Sequence, residues 1–128
     1  LDLLQKKLLL STYVAHGRGS GDNYAVAFSN RPGSYQSSLG FFRTGDTYMG
    51  KNGYSLFLDG LEKGINDKAR ERAIVVHGAN YADPAVLKGQ QRLGRSLGCP
   101  ALPPDISKQV IDTIKGGVLL YIYGLNKA

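Results

Sequence analysis

The sequence predicts a mainly-β single domain carrying a few short helices. Three observations carry that expectation. Glycine occurs 17 times and tyrosine 8 times, a bias toward strands joined by tight turns. Lys51-Asn52-Gly53 interrupts the run Thr47 to Leu58, which reads as a hairpin whose Asn-Gly supplies two positive-φ turn residues. Ala73 to Val76 and Val118 to Tyr123 are continuous apolar runs, as in strands buried on both faces. The chain of 128 residues fits one domain, read as 1–128, able to bury roughly two thirds of its unfolded surface.

The remaining elements follow in order. Lys7 to His16 reads as a first strand, with Thr12, Tyr13 and Val14 at its centre, and Tyr24 to Phe28 as a second. Ser34 to Phe42 reads as loop or distorted edge strand. Asn66 to Arg72 has the composition of a short helix, and Pro84 to Lys88 of one helical turn. Pro103 to Lys115 is the strongest helix. Ile106, Val110, Ile111 and Ile114 share one face, Pro104 suits the first turn, and Gly116-Gly117 ends it.

Composition excludes several classes. With 42% apolar and 20% charged residues, the chain is neither a disordered tail nor a coiled coil. Its longest apolar stretches are too short to span a bilayer. One cysteine excludes an internal disulfide framework and a Cys-rich zinc module. The net charge of +6 favours anionic partners. The cations are dispersed, however: Lys68, Arg70 and Arg72 alternate with Asp67 and Glu71, as on a solvated helix face. No nucleic-acid-binding signature occurs. The chain begins at Leu1, read as an N-terminally truncated domain. Asp2, Gln5, Lys6 and Lys7 break its first apolar stretch, so neither a signal peptide nor a membrane anchor is visible.

The chemistry concentrates around Cys99. A lone cysteine is most often a small buried hydrophobe. This one lies in Gly94-Arg95-Ser96-Leu97-Gly98-Cys99-Pro100, where glycines allow close approach and proline fixes the chain after the sulfur. Arg92 and Arg95 are placed to lower the thiol pKa. His77 ends a buried run and precedes Gly78; His16 is the other histidine. Either imidazole is a candidate thiol activator. No close ligand pair marks a metal site, and no cofactor is expected. His16-Gly17-Arg18-Gly19-Ser20-Gly21 matches neither a P-loop nor a dinucleotide fingerprint, and reads as a loop lining the same cleft.

With these residues assembled, the sequence resembles the murein L,D-transpeptidase catalytic domains of YkuD type, in the branch with a Ser-x-Gly-Cys-Pro motif. The likeness runs through Ala15 to Gly21, Phe28-Ser29-Asn30, Ser37 to Gly40, Tyr48 to Leu56, Leu58 to Glu62, Val76-His77-Gly78 and Gly94 to Leu102. The resemblance implies a β-sandwich-like domain whose cysteine attacks a peptide stem of peptidoglycan. It implies Cys99 as nucleophile, His77 as base, the Gly78 carbonyl as the group orienting the imidazole, and N–H groups near Gly98 and Cys99 as the oxyanion hole. Arg95, His16, Ser96 and Tyr48 are the substrate-binding candidates. Two positions depart from the commoner motif: Leu97 stands where a second histidine occurs, and Ala101 where an arginine occurs. Arg95 is expected to take over that arginine's hold on a substrate carboxylate.

The implied reaction cleaves a tetrapeptide stem before its terminal D-alanine through a thioester and passes the acyl group to an acceptor amine, giving a 3→3 cross-link. Water in place of the amine makes the same site an L,D-carboxypeptidase. A non-catalytic wall-binding module is the alternative of another class, disfavoured because a pure binder needs neither Cys99 nor His77. A papain-type peptidase is disfavoured by chain length and by the order of histidine and cysteine. The family's substrate implies an extracytoplasmic location. A cytoplasmic enzyme trimming recycled wall fragments would have the same sequence features, and oligomeric state is not legible.

Overall fold

The computed structural model describes residues 1–90 and 92–125. Five strands form one sheet: β1 (Gly40–Gly50), β2 (Gly53–Gly60), β3 (Val75–Gly78), β4 (Ala101–Leu102) and β5 (Leu119–Ile122). Their spatial order is β4-β3-β2-β1-β5. All neighbours pair antiparallel except β3 and β4, which run parallel. One α-helix, α1 (Pro104–Ile114), follows β4, and 3₁₀ turns cover Arg18–Ser20, Asn80–Ala82 and Pro84–Lys88. The fold is mainly β, as the sequence predicts.

The hairpin forms because β1 and β2 meet at Gly50 and Gly53, leaving Lys51 and Asn52 as the turn. Its type differs from expectation. Only Gly53, at φ 83°, takes a positive φ, so Asn52 keeps an ordinary backbone and the glycine alone makes the left-handed correction. β1 also begins earlier than the run Thr47 to Leu58 implies, at Gly40. A bulge between Thr44 and Thr47 bends it. There the buried Thr44 hydroxyl donates to the Ile114 carbonyl at 2.6 Å and accepts from the Val118 N–H at 2.9 Å, fixing the end of α1 to the sheet.

The core is Phe42, Leu56, Leu58, Ala69, Ile74, Val76, Leu102 and Ile111. Ile106, Val110 and Ile114 pack against it from the predicted face of α1. Four expectations need correction. Lys7 to His16 and Tyr24 to Phe28 form no strand; only Ala15 makes a bridge toward the sheet, to Ala101. Asn66 to Arg72 is a chain of turns, not a helix, because its buried Asn66 bonds across to the sheet. The final strand β5 lies at an edge with Leu119 and Tyr121 exposed, so a continuous apolar run did not mean burial on both faces.

Asn66 is fully buried. It donates to the carbonyls of Leu39 and Phe41, each at 2.9 Å, and accepts from the Glu62 N–H at 2.9 Å. Asn66→Ala strips partners from buried backbone groups and is expected to lower unfolding free energy by about 2–4 kcal/mol. Urea denaturation measures this; a loss below about 0.5 kcal/mol would show that the turn region stands without it.

Candidate active site

The site is assembled at β4. Ala101 exchanges backbone hydrogen bonds with Ala15 on one side, at 2.8 and 3.1 Å, and pairs with His77 of β3 on the other. The segment before β4 is thereby drawn along the edge of β3. The N–H groups of Ala79 and His77 donate to the carbonyls of Leu102, at 2.9 Å, and Pro100, at 3.3 Å. One rung further back, the Val75 N–H donates to Cys99 Sγ at 3.4 Å. The sulfur thus occupies a position where a backbone carbonyl would continue the ladder.

Sγ also lies 3.5 Å from the Ala73 carbonyl, its acceptor. Cys99 is half-buried against the main core. Burial pushes its thiol pKa up; the Val75 N–H and the nearby Arg72 guanidinium pull the other way without reversing it. The loop itself is locked by Ser96, whose hydroxyl donates to the Cys99 carbonyl at 2.6 Å and accepts from the Gly98 N–H at 3.1 Å. Among the described residues the Cys99 N–H has no acceptor.

His77 is buried, with Nδ1 2.9 Å from the Gly78 carbonyl oxygen. Donation from Nδ1 leaves Nε2 as the basic nitrogen of the neutral ring. Nε2 makes no hydrogen bond among the described residues, and no unpartnered side-chain nitrogen there is sealed from solvent. No hydrogen bond joins the ring to Cys99 Sγ in this resting arrangement. His16 repeats the local geometry, its Nδ1 lying 2.9 Å from the Gly17 carbonyl oxygen. The two histidines therefore flank β4, one beside each of its edges. Tyr48 is in register with Ser55, which is in register with His77, so it lies two strands from His77 in the same row of the sheet, its ring stacked on Phe57 at 4.3 Å.

The glycine-rich segment packs directly on the cysteine loop. Gly17 bridges to Ser96, the Ser96 N–H donates to the His16 carbonyl at 2.9 Å, and the Arg18 N–H to the Ser96 carbonyl at 2.7 Å. A Cβ on Gly17 would meet the Tyr35 carbonyl oxygen at 2.5 Å and Gly98 Cα at 2.9 Å. Close backbone approach, rather than flexibility, explains this glycine. Gly98 is required twice over, by φ 127° and by Ile74 Cδ1 standing 2.9 Å from its missing Cβ.

The cations are not distributed as the sequence implied. Arg92 and Arg95 turn to the exposed carboxylate of Asp22, at 2.5 and 3.8 Å, and Arg95 also donates to the Gly21 carbonyl at 3.2 Å. The guanidinium acting on Cys99 is Arg72, which the alternating charges around it disguised as a solvated residue. Among the described residues no cluster of histidine, cysteine and carboxylate side chains is arranged to hold a metal ion. An open, largely apolar groove of about 1180 Å³ reaches His16 and Pro100, but neither Cys99 nor His77 lines it.

A family model described as the L,D-transpeptidase catalytic domain matches residues 1–123. The chain belongs to this family. No curated protein matches it. Membership makes the protein a peptidoglycan-modifying enzyme of L,D-transpeptidase type. No helix among the described residues of this L,D-transpeptidase domain is long and apolar enough to cross a membrane.

Sequence reasoning missed two side chains near the sulfur. Arg72 directly precedes the apolar run at 73–76, a position that argues against full solvation. Tyr81 packs its ring under Gly94, where a Cβ would collide with it, and burial together with the Cys99 charge raises its phenol pKa. No local pattern marks Tyr81.

Gly17→Ala is expected to force the Gly98 turn outward, costing about 1–3 kcal/mol of stability and lowering the alkylation rate of Cys99. Thermal unfolding and intact-mass labelling check this together; wild-type behaviour in both would remove the close-packing argument.

Proposed function

We propose that this domain is a cysteine L,D-transpeptidase acting on peptidoglycan tetrapeptide stems. The observation that carries the reading is the register of β3 on β4. It sets a histidine with an oriented ring beside the segment bearing the sole thiol, in a chain of the L,D-transpeptidase family.

Because burial holds the Cys99 thiol above its ordinary range, the resting nucleophile is the thiol rather than a preformed ion pair. Rotation about its Cα–Cβ bond carries Sγ away from Ala73 and toward Nε2 of His77, a contact that tightens when substrate binds. His77 accepts the proton as sulfur attacks the carbonyl of the third stem residue. The Cys99 N–H stabilises the oxyanion, a contribution of about 3 kcal/mol per preorganised donor; Gly98, whose N–H is bound to Ser96, shapes the turn. The amide C–N bond then breaks, His77 returns the proton to the amine of the departing D-alanine, and a thioester remains. An acceptor-stem amine attacks the thioester, its proton passes to His77, and sulfur leaves and is reprotonated. The product is a 3→3 cross-link.

Arg95 is partly exposed and only loosely engaged with Asp22, which supports a role in binding a stem carboxylate in that carboxylate's place. His16 faces the opposite edge of the loop and is assigned to the substrate side with it. Ser96 contributes by locking the loop. Tyr48 is assigned to the more distant end of the stem. The reaction's polymer substrate supports an extracytoplasmic location.

Two outcomes are expected. Cys99→Ala abolishes D-alanine release from a disaccharide-tetrapeptide while the domain stays folded, and His77→Gln lowers it by about 10²–10⁴-fold. Mass spectrometry with an added acceptor stem yields a dimer. A trimmed tripeptide alone would assign the domain to L,D-carboxypeptidase chemistry, and an untouched tetrapeptide would assign it to binding.

A further inference from the structure

Arg72 stands out among the cations of the molecule. Its Nη1 donates to the Ser29 carbonyl at 2.9 Å and to Ser38 Oγ at 2.6 Å; its Nη2 donates to the Gln36 carbonyl at 2.7 Å and to Ser34 Oγ at 3.2 Å. All four acceptors are neutral. None of the ion pairs among the described residues includes Arg72. A half-buried guanidinium without a carboxylate is costly, and the fold bears that cost at one place: beside the cysteine turn. A Cβ on Gly98 would stand 3.4 Å from Arg72 Nη2 and 3.1 Å from the Gln36 carbonyl oxygen that Nη2 holds.

We propose that Arg72 is a positioning residue for the cysteine: it clamps the 29–38 segment over the Gly98–Cys99 turn and supplies the fixed positive charge that stabilises the sulfur as an anion. The inference rests on Cys99 being the nucleophile of the proposed reaction. Its geometry explains why the guanidinium is saturated by neutral groups. Four acceptors hold the charge in place without neutralising it, so its field remains available to the thiolate. The charge balance at the sulfur supports this, since Arg72 is the cation that offsets burial of the thiol and Cys99 is in turn the charge that steadies the guanidinium.

The other groups facing the sulfur do not substitute for it. The Val75 N–H is a dipole, and the Tyr81 phenol, its pKa raised, is neutral at physiological pH. Arg92 and Arg95 are directed to Asp22.

The test is the pH profile of Cys99 alkylation by iodoacetamide, followed by intact mass, which needs no cell-wall substrate. Arg72→Met is expected to move the midpoint to higher pH and slow alkylation below it by about tenfold. Arg72→Lys, which keeps the charge but not the four-way clamp, is expected to restore most of the wild-type profile. Should Arg72→Met fail to fold, Ser34→Asp neutralises the guanidinium in place and is expected to raise the midpoint relative to Ser34→Asn. An unmoved midpoint in a folded Arg72→Met, or equal profiles for the two Ser34 variants, would overturn the proposal. So would an Arg72→Lys profile as displaced as that of Arg72→Met, since the clamp and not the charge would then set it. Because the readout is thiol chemistry, these failures leave the stem-cleavage reading to its own assay. A failed stem assay with the predicted profiles would leave Arg72's role intact.

Discussion

The whole site depends on a two-residue strand. Ala101 is fully buried; both its backbone groups bond Ala15 on one edge, and on the other, where it is in register with His77, its neighbours Pro100 and Leu102 accept from the N–H groups of His77 and Ala79. That single residue joins three distant stretches of chain: the glycine-rich segment after His16, the end of β3, and the cysteine loop. Parallel pairing determines which β3 N–H groups face the loop, so that the Val75 N–H meets Cys99 Sγ and the His77 N–H meets the Pro100 carbonyl. A side chain larger than alanine at 101 would have to displace one of its neighbours, because nothing at that position reaches solvent.

The electrostatics follow from this packing. The thiol is drawn into the edge of the core, where desolvation disfavours its anion. The fold compensates in part with a backbone dipole, the Val75 N–H, and a fixed guanidinium, that of Arg72. In the proposed reaction proton transfer to His77 then accompanies attack, and the reactive anion exists only when substrate is in place. Other arginines find carboxylate partners, as Arg70 does in Asp59 and Arg92 in Asp22. The net charge of +6 thus says less about the site than the position of one half-buried arginine that has no carboxylate partner.

Much of the fold was legible because local rules decided it. Pro104, the apolar face from Ile106 to Ile114 and the terminal glycines define α1 within a residue of its bounds. Asn52-Gly53 marks the hairpin, although the glycine alone and not the pair sets its turn. Lys7 to His16 misled because β-propensity describes how a residue fits a pleated surface, and apart from Ala15 this stretch finds no partner strand. Arg72 was illegible for the opposite reason. Its acceptors lie at 29–38, so beyond its place directly before the apolar run 73–76 only the tertiary fold distinguishes it from the solvated Lys68 of the same charged stretch. The His-Gly pair and the cysteine loop were readable as a candidate site; that the Gly98 N–H is bound to Ser96 was not.

The central claim is that Cys99 becomes acylated by the third stem residue. The most direct measurement is intact-mass analysis, with peptide mapping, of enzyme acid-quenched soon after mixing with disaccharide-tetrapeptide. The account predicts a transient adduct on Cys99 equal to the donor stem less D-alanine, decaying faster when an acceptor amine is added. D-alanine release with no adduct, or with the adduct on another residue, would contradict it.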